Sequence, residues 1–324
     1  MRSGQQITRR ALLLAGAATG LVPGMASAQN AAQIVVPYPP GGTTDVTARL
    51  IAVRASQELG QSWVIDNRSG ANGTIGAKIV ALGKPDGHTL LYSNEVLIVL
   101  HFVQRDLPLD ALIDLTPIIR ACSIPYVLVG ATEHAARSNV NALLVALAST
   151  PDRFRFASST LGSVGQFAAA ALGQKLGTMP LIVSYRGTAP AVQDLLAGSV
   201  ELMFAPLGAV APLIQDGKLI VFATTSEQRL GLLPDVPTLV ELGFKDMVFE
   251  GWAGLWGPKD VPDDIVARIH TAVSAAAEST EVQRRFKELG CITVRESPAQ
   301  FAELIEREHT RAAELVLAMG LTPQ

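Results

Sequence analysis

The sequence predicts an α/β protein made of two Rossmann-like lobes that crossing strands join. Short apolar strands alternate with helix-forming stretches in two successive passes along the chain, which is typical of parallel sheets covered by helices. Without its first 28 residues the chain has 296 residues, more than one hydrophobic core usually supports. No low-complexity linker separates the two passes, so we expect strands to connect the lobes and a hinge between them.

The first 28 residues have the pattern of an export signal. An Arg9-Arg10 pair precedes the uncharged apolar run 11–18, and Ala26-Ser27-Ala28 is typical of a cleavage site. The apolar run is too short for a membrane span. Its paired arginines indicate possible twin-arginine export, with Sec export as the alternative. We therefore predict a periplasmic protein whose signal peptide, residues 1–28, is cleaved after Ala28.

Composition narrows the classes of partner. Without the three arginines of the signal, the chain keeps 23 basic and 29 acidic residues, a net charge near −6. A mildly acidic chain without basic clusters argues against nucleic acid and anionic membranes. The only two cysteines, Cys122 and Cys291, lie far apart in sequence. They could pair in an oxidising compartment, but we interpret them as buried free thiols.

The first pass alternates strands with helices. Residues 34–36 are a β-branched run that predicts a buried strand, and from Thr43 the apolar residues recur at helical spacing. Further strands are predicted over 63–66 and 88–92, with a helix over 75–82 between them. Since parallel strands place their carboxyl ends at one edge of a sheet, we expect ligand-binding groups in the loops there.

The loop before the first helix, Pro37-Tyr38-Pro39-Pro40-Gly41-Gly42, is the most distinctive stretch of this pass. Its glycines allow a ligand to approach the backbone, and the free N–H groups of a first helical turn attract anions. No Lys-Ser or Lys-Thr follows, and the spacing is not that of a dinucleotide fingerprint. The pattern predicts an anion-binding turn, with an ordinary strand-to-helix connection as the alternative.

The second pass follows two apolar runs that flank Ser123-Ile124-Pro125. Its strands are predicted over 154–157, 180–183, 201–204 and 219–224, and its helices over 141–148, over 164–176 and up to Leu196. Residues 247–258 are extended and apolar, which predicts a strand crossing back, and helices are predicted over 265–277, 281–289 and 298–318. We therefore assign residues 29–125 and 250–324 to the first lobe and residues 126–249 to the second.

A search for catalytic groups finds little. The five histidines do not pair with one another or with a cysteine at metal-ligand spacing, and neither HExxH nor CxxC occurs. Ser163 lies in a near match to a nucleophile elbow, yet its surroundings favour a helix cap. We therefore expect no enzyme activity, no metal and no cofactor. The alternative is an exported α/β hydrolase that uses Ser163 or a lone acid such as Asp45.

Polar, glycine-rich loops recur after several predicted strands. They cover residues 40–45, 69–74, 158–163 and 186–189. If both lobes present these loops to one cleft, backbone N–H groups and hydroxyls converge there, and such donors bind a carboxylate well. Arg186 adds a positive charge at the second lobe's edge, or is simply solvated.

Taken together, these stretches resemble the Bug family of extracytoplasmic solute receptors, which serve tripartite tricarboxylate transporters. The matching motifs follow one another along almost the whole mature chain: VPYPPGGTTD from Val36, GTIGA from Gly73, PDGHTLL from Pro85, YRGTAPA from Tyr185, DLLAG from Asp194, LPDVPT from Leu233 and WAGL from Trp252. Each motif alone is weak, but their order and spacing are specific.

The resemblance implies a periplasmic-binding-protein-like Venus-flytrap fold that closes on a small organic solute, commonly a carboxylate. It implies a monomer that passes the solute to the membrane components of a tripartite transporter, or an orphan receptor that serves a sensor. The expected ligand-binding residues are Tyr38, Pro40, Gly41, Gly42, Thr43, Asp45, Asn94, Glu95, Ser158, Thr160, Gly162, Ser163, Tyr185, Arg186, Gly187, Thr188 and Ala189.

Two positions depart from the family pattern. Gln166 stands where a histidine is usual and cannot become cationic, and Glu95 follows the third strand where a small residue is expected. A carboxylate there repels an anionic solute unless Glu95 points away or the solute is neutral or cationic.

Overall fold

A mixed sheet of ten strands runs through the computed structural model, which describes residues 31–133, 139–318 and 320. The strands are β1 (Ala32–Val36), β2 (Trp63–Asn67), β3 (Thr89–Asn94), β4 (Leu115–Ala131), β5 (Arg155–Ser158), β6 (Leu181–Ser184), β7 (Leu202–Pro206), β8 (Leu219–Thr224), β9 (Glu250–Pro258) and β10 (Ile292–Thr293). The predicted signal peptide lies outside the described residues.

Helices cover both faces of this sheet. They are α1 (Thr43–Leu59), α2 (Thr74–Ala81), α3 (Leu100–Val103), α4 (Ala111–Asp114), α5 (Val140–Ser149), α6 (Val164–Lys175), α7 (Thr188–Leu196), α8 (Leu207–Gln215), α9 (Asp263–Glu278), α10 (Thr280–Glu288) and α11 (Pro298–Ala318). Among the described helices, none is both long enough and apolar enough to cross a membrane.

The strand order separates two lobes. In the first, β1 pairs in parallel with β2 and β3, and β9 joins β3 antiparallel, which gives the order β2-β1-β3-β9-β4. In the second, β5 pairs in parallel with β6 and β7, and β7 and β8 pair antiparallel with β4. The predicted parallel pairing of the first three strands is therefore confirmed. The assigned residue boundaries of the lobes stay a prediction.

One long strand belongs to both lobes. The sequence suggested two apolar runs, but residues 115–131 form the single 17-residue strand β4. Its part from Leu115 to Pro125 pairs with β9, and from Tyr126 onward it pairs with β7 and β8. Proline does not end the strand: the register shifts next to Pro117, and Pro125 lies where the partner strands change. Such irregular positions tolerate a residue without an N–H donor.

The two crossing segments are tied together by Thr225, which is fully buried. Its N–H donates to the Tyr126 carbonyl at 3.0 Å, and its carbonyl accepts the Phe249 N–H at 3.0 Å. Its hydroxyl lies within bonding distance of the carbonyls of the same two residues, Tyr126 and Phe249. The outward strand and the returning chain are thus fixed to each other where they pass between the lobes.

The core behind the crossing is aromatic. Trp252 and Trp256 on β9 are fully buried and pack against Phe301 of α11, with ring centroids 5.2 and 5.5 Å from the phenyl ring. A substantial part of the stabilisation comes from these large side chains, since each buries far more apolar area than an aliphatic residue. The amphipathic helix predicted over 298–318 therefore closes the back of the molecule.

Sequence reasoning missed α3, α4, α8 and β10. Three of these elements have two to four residues, too few for a periodic pattern to emerge. The fourth, α8, is apolar nearly throughout and contains Pro212, which hides its helical period.

The two lobes also touch through bare backbone on the side of α8. A Cβ on Gly208, in α8, would lie 1.9 Å from the carbonyl oxygen of Leu289, which follows α10. The next residue, Gly290, has a φ of 67°, and a Cβ on it would lie 2.7 Å from the Gly208 backbone nitrogen. Two glycines are therefore required for this approach.

We predict that Gly208→Ala destabilises the protein by about 1–3 kcal/mol, because the added methyl group overlaps a backbone atom that side-chain movement cannot relieve. Urea unfolding measures the change. Gly231→Ala is the matched control, since nothing lies within 4 Å of the added atom, and it should change the free energy of unfolding little. Equal stabilities of the two variants would contradict the close approach.

Candidate functional site

The loops after β1, β2 and β3 meet around Tyr38, as their position at one sheet edge predicts. The Tyr38 hydroxyl donates to the Asn94 side-chain oxygen at 2.6 Å, which joins the first loop to the end of β3. The Asn67 amide, at the end of β2, donates to the Tyr38 carbonyl at 3.1 Å. Burial raises the pKa of Tyr38 well above its ordinary value, so its hydroxyl remains a proton donor.

Asp45 folds this loop rather than facing out of it. Its carboxylate is buried and accepts the Gly41 N–H at 2.9 Å, the Asn67 amide at 2.8 Å and the Arg49 guanidinium at 3.0 Å. Burial opposes ionisation of Asp45, but the bonds from Arg49, Gly41 and Asn67 outweigh it and hold the pKa below its ordinary value of 3.8. The carboxylate is thus a fixed anchor for the glycine turn.

The backbone of the same loop is open to solvent. Pro40, Gly41, Gly42 and Thr43 are exposed, and α1 begins at Thr43 without a side-chain cap. The first N–H groups of a helix have no acceptor within the helix and carry its positive end. This edge of the first lobe therefore offers backbone donors to an anion.

The second lobe has a similar turn between β5 and α6. The Ser158 hydroxyl lies 2.7 Å from the Thr160 carbonyl and 2.9 Å from the Ser163 hydroxyl, and all three residues belong to the predicted site. Ser163 caps α6 by accepting the Gln166 N–H at 3.3 Å. The Gln166 side chain, in turn, accepts the Gly162 N–H at 2.7 Å, so this neutral residue holds the turn closed.

The loop after β6 is hydrogen-bonded to that turn. The Tyr185 N–H donates to the Ser158 carbonyl at 2.9 Å, and the Gly187 N–H to the Ser159 carbonyl at 2.7 Å. The Tyr185 hydroxyl donates to Asp194 at 2.7 Å, and burial together with this bond raises the pKa of Tyr185 to about 12. Arg186 and Ala189 are exposed on this loop. The helix α7 begins at Thr188.

The predicted residues thus form two groups. The hydrogen bonds of Tyr38, Asp45 and Asn94 remain in the first lobe, and those of Ser158, Ser163 and Tyr185 in the second; among the described residues none joins the two groups.

The two lobes meet at the second-lobe turn. A Cβ on Gly162 would lie 3.4 Å from Val99 and 3.5 Å from Val103, both in the segment after β3. Beside this contact is a cavity of about 50 Å³ between the lobes, lined by apolar side chains and by the charged residues Glu95, Glu250, Glu308 and Arg311. Glu95, next to Asn94 of the first group, and Gly162, in the turn of the second group, therefore line the same cavity.

Glu95 points toward the crossing strand. Its carboxylate accepts the Trp252 N–H at 3.2 Å and lies next to Gly251. Burial raises the pKa of Glu95 to about 7, with a further contribution from the neighbouring Glu308 carboxylate. The expected repulsion of an anionic solute is reduced in two ways, because Glu95 is turned to the backbone and its neutral form is favoured up to near-neutral pH.

The C-terminal helix α11 contributes a second buried carboxyl that sequence reasoning missed. Glu308 accepts the Trp252 ring N–H at 2.7 Å, and burial raises the pKa of Glu308 to about 7. The Arg311 guanidinium lies 3.6 Å from the centre of the Phe249 ring and donates to the Val248 carbonyl at 2.6 Å. The sequence pattern does not show what these charges contact, and only the tertiary fold shows that they face the crossing segment.

The serine and the histidines that could serve catalysis are engaged in other contacts within the described part of the chain. Ser163 is bonded to another serine and to a backbone N–H, which is the arrangement of a cap. The His101 and His309 rings pair with each other at 2.9 Å between α3 and α11. Across residues 31–133, 139–318 and 320, no group of three or more histidine, cysteine, aspartate or glutamate side chains could hold a metal ion.

Two α/β lobes, joined by crossing strands and each carrying a glycine-containing turn between a strand and a helix, are the architecture of a two-lobed solute-binding protein. The sequence model of the tripartite tricarboxylate transporter family receptor matches residues 47–321. The chain therefore belongs to this receptor family, and the resemblance to the Bug family is confirmed. The family and its solved members are periplasmic solute-binding proteins and not enzymes.

Individual relatives agree along most of their length. Protein BugT of Bordetella pertussis is 33% identical over 89% of this chain and 89% of its own. The structure of the periplasmic binding protein BugD has a TM-score of 0.76 at 28% identity, covering 91% of this chain and 99% of its own. Rpa4515 of R. palustris, solved with adipate, has a TM-score of 0.78 at 31% identity over 90% of this chain and 98% of its own. MatC (Rpa3494) from Rhodopseudomonas palustris, solved with bound malate, has a TM-score of 0.73 at 30% identity over 88% of this chain and 98% of its own.

The raised pKa of Glu95 predicts a stability that depends on pH. Between its ordinary value of 4.5 and about 7, the folded chain holds the Glu95 proton more tightly than the unfolded chain does. The free energy of unfolding should therefore fall as the pH rises through this window, by about 1–3 kcal/mol for this group.

Glu95→Gln should remove that part of the slope, and Glu95→Gln with Glu308→Gln should give the flattest profile. Urea unfolding between pH 4.5 and 8 measures it. Glu306→Gln is the control, because Glu306 is exposed on α11, the helix that carries Glu308. This variant should keep the wild-type dependence of stability on pH. If the stability of Glu95→Gln depended on pH as the wild type does, the raised pKa of Glu95 would be refuted.

Proposed function

We propose that this chain is exported, loses residues 1–28, and works as a monomeric periplasmic receptor that captures a small organic carboxylate between its lobes. It then delivers the solute to the membrane components of a tripartite transporter. The observation that carries this proposal is that each lobe has a glycine-containing turn between a strand and the helix that follows it: the turn 40–43 before α1 and the turn 158–163 before α6.

The way these loops are built supports an anionic ligand. Their polar side chains are used within the loops: Asp45 holds the first turn, and Ser158, Ser163 and Gln166 hold the second. What remains for a ligand is backbone N–H at the starts of helices, exposed hydroxyls and Arg186. Donors of this kind favour an oxygen anion, because charged acceptors form the shorter and stronger hydrogen bonds.

The relatives narrow the class of solute. MatC was solved with malate and Rpa4515 with adipate, which are both dicarboxylates. Both are about 30% identical to this chain, which supports a class of solute and not one particular compound. We therefore propose a small organic carboxylate as the class and leave its chain length to experiment.

Closure would occur at the crossing segments. We propose that residues 29–125 and 250–324 move as one lobe and residues 126–249 as the other. The change of partner strands along β4 at Tyr126 and the start of β9 at Glu250 support these boundaries. A solute that contacts both loops stabilises only the closed arrangement, and that differential affinity is what shifts the population.

We predict that the mature chain, residues 29–324, binds dicarboxylates reversibly and without consuming them. Calorimetry and thermal shift with malate and adipate provide the test, and adipamide, the uncharged diamide of adipate, is the control. At 100 times its dissociation constant a ligand adds about 2.7 kcal/mol of stability, which is readily measured. Stabilisation by amines alone would contradict the carboxylate class, and turnover of a bound compound would contradict the receptor function.

The helix start at Thr43 allows a sharper test. Thr43 is the first residue of α1, and Gly42 before it has the extended conformation that a following proline requires, with φ −73° and ψ 164°. Thr43→Pro should therefore remove one free N–H donor while the helix keeps all its hydrogen bonds. We expect its affinity for the carboxylate to fall about tenfold to a hundredfold, the value of one hydrogen bond to a charged group.

Thr43→Ala is the matched control, because it loses the hydroxyl and keeps the N–H. Urea unfolding should show that both variants are as stable as the wild type. Equal affinities of the proline and alanine variants, with intact folds, would exclude the start of α1 from the binding site.

A further inference from the structure

The only two cysteines of the chain, separated by 168 residues in sequence, meet in the fold. Cys122 lies in β4, and Cys291 immediately precedes β10, which pairs with β4 in the register Thr293 to Cys122 and Ile292 to Ser123. Continuing this antiparallel register places Cys291 two positions diagonally from Cys122 on the same face of the sheet. The two thiols are neighbours in the core, where the Cys291 thiol raises the pKa of Cys122.

Both cysteines lie in the interior of the protein. Cys122 is fully buried and Cys291 is 5% exposed. The polar neighbours of the pair are the hydroxyl of Tyr92, which is itself buried, and the Leu289 carbonyl, 3.8 Å from the Cys291 thiol. Among the described residues, no group of three or more metal-binding side chains could hold an ion there. The Cys291 thiol and burial together raise the pKa of Cys122, which makes it a poor nucleophile once the protein is folded.

We propose that Cys122 and Cys291 are a modification site, oxidised to a disulfide in the mature protein. This inference rests on the proposed export, since disulfides form and persist in oxidising compartments and are rare in the cytoplasm. The chain has no third cysteine, so only one pairing is possible. Packing alone does not explain two adjacent cysteines on this buried face, because two small apolar residues would fill the same space.

The oxidant is a disulfide of the thiol–disulfide exchange class, from an oxidoreductase or a small-molecule disulfide. The thiolate of one cysteine attacks the donor disulfide, forms a mixed disulfide and releases a donor thiolate. The second cysteine then attacks the protein sulfur of that mixed disulfide, which closes the bond from Cys122 to Cys291 and expels the other donor thiolate. Two electrons and two protons pass from the protein thiols to the donor. Because both thiols are buried in the folded chain, the exchange takes place before β10 closes on β4.

The bond would fix a contact between the lobes. Cys291 follows Leu289 and Gly290, whose backbone lies against Gly208 of α8 in the other lobe. The strand β10 has two residues and by itself holds this segment on β4 weakly. A disulfide at Cys291 anchors it covalently to the strand that passes through both lobes.

The test uses the full chain, expressed with its signal peptide and purified from the periplasm without reductant. Denatured protein is alkylated before and after reduction. We expect no alkylation before reduction, two alkylated cysteines after it, and a disulfide-linked pair of tryptic peptides, residues 121–137 and 288–295. Two reactive thiols in unreduced periplasmic protein would overturn the proposal.

A stability measurement checks the same bond without relying on labelling. Reductant should lower the melting temperature of the periplasmic wild-type protein and leave that of a Cys122→Ser, Cys291→Ser variant unchanged. If reductant leaves both unchanged while the peptides are unlinked, the disulfide is excluded. Failure of the proposed export gives a different result, a chain that keeps residues 1–28 in the cytoplasm. In that case the thiol assay is repeated on residues 29–324 exported with an established signal peptide.

Discussion

The fold depends on one strand that two lobes must share. The 17 residues of β4 pair with β9 in the first lobe and with β7 and β8 in the second, so neither sheet is complete without it. The returning chain is bonded to the same place through Thr225. Any change in the angle between the lobes must therefore be absorbed at Tyr126 and near Phe249, since the strands on either side are held by their own sheets.

The crossing also decides where charges are buried. Trp252 donates its backbone N–H to Glu95 and its ring N–H to Glu308, so one residue of β9 holds two carboxyls that lie far apart in the sequence. Both carboxyls are shielded from water, and both favour the proton up to near-neutral pH. Arg311 adds a guanidinium over Phe249 on the same side. The C-terminal helix is therefore part of the junction between lobes and not only a cover for the first one.

Much of this architecture could be predicted from local pattern, and the reasons for the exceptions are physical. The first three strands were found because short apolar runs are bounded by polar, glycine or proline residues, and their parallel pairing is confirmed. The continuity of β4 was missed because Pro117 and Pro125 imitate strand ends, although both occupy irregular positions where an N–H donor is dispensable. The role of Glu308 was invisible for another reason: a helix pattern reports which face is polar but not which neighbour that face meets.

The turns of the candidate site could be predicted from the sequence because they are built from residues that shape the backbone, while their contact with a solute stays a prediction. Glycines, prolines and serines set the turns, and the one conspicuous acid, Asp45, is spent on bonds to Gly41, Asn67 and Arg49. If recognition rests on backbone N–H groups, a solute's carboxylate can be held without any side chain changing, and selectivity then comes from the residues around the loops. Glu95, Val99 and Phe167 line the space between the lobes and differ in charge and size from the groups that build the turns. A receptor of this construction can exchange one organic acid for another by substitutions at such positions while the turns stay as they are, because those turns depend on their own internal bonds and not on the ligand.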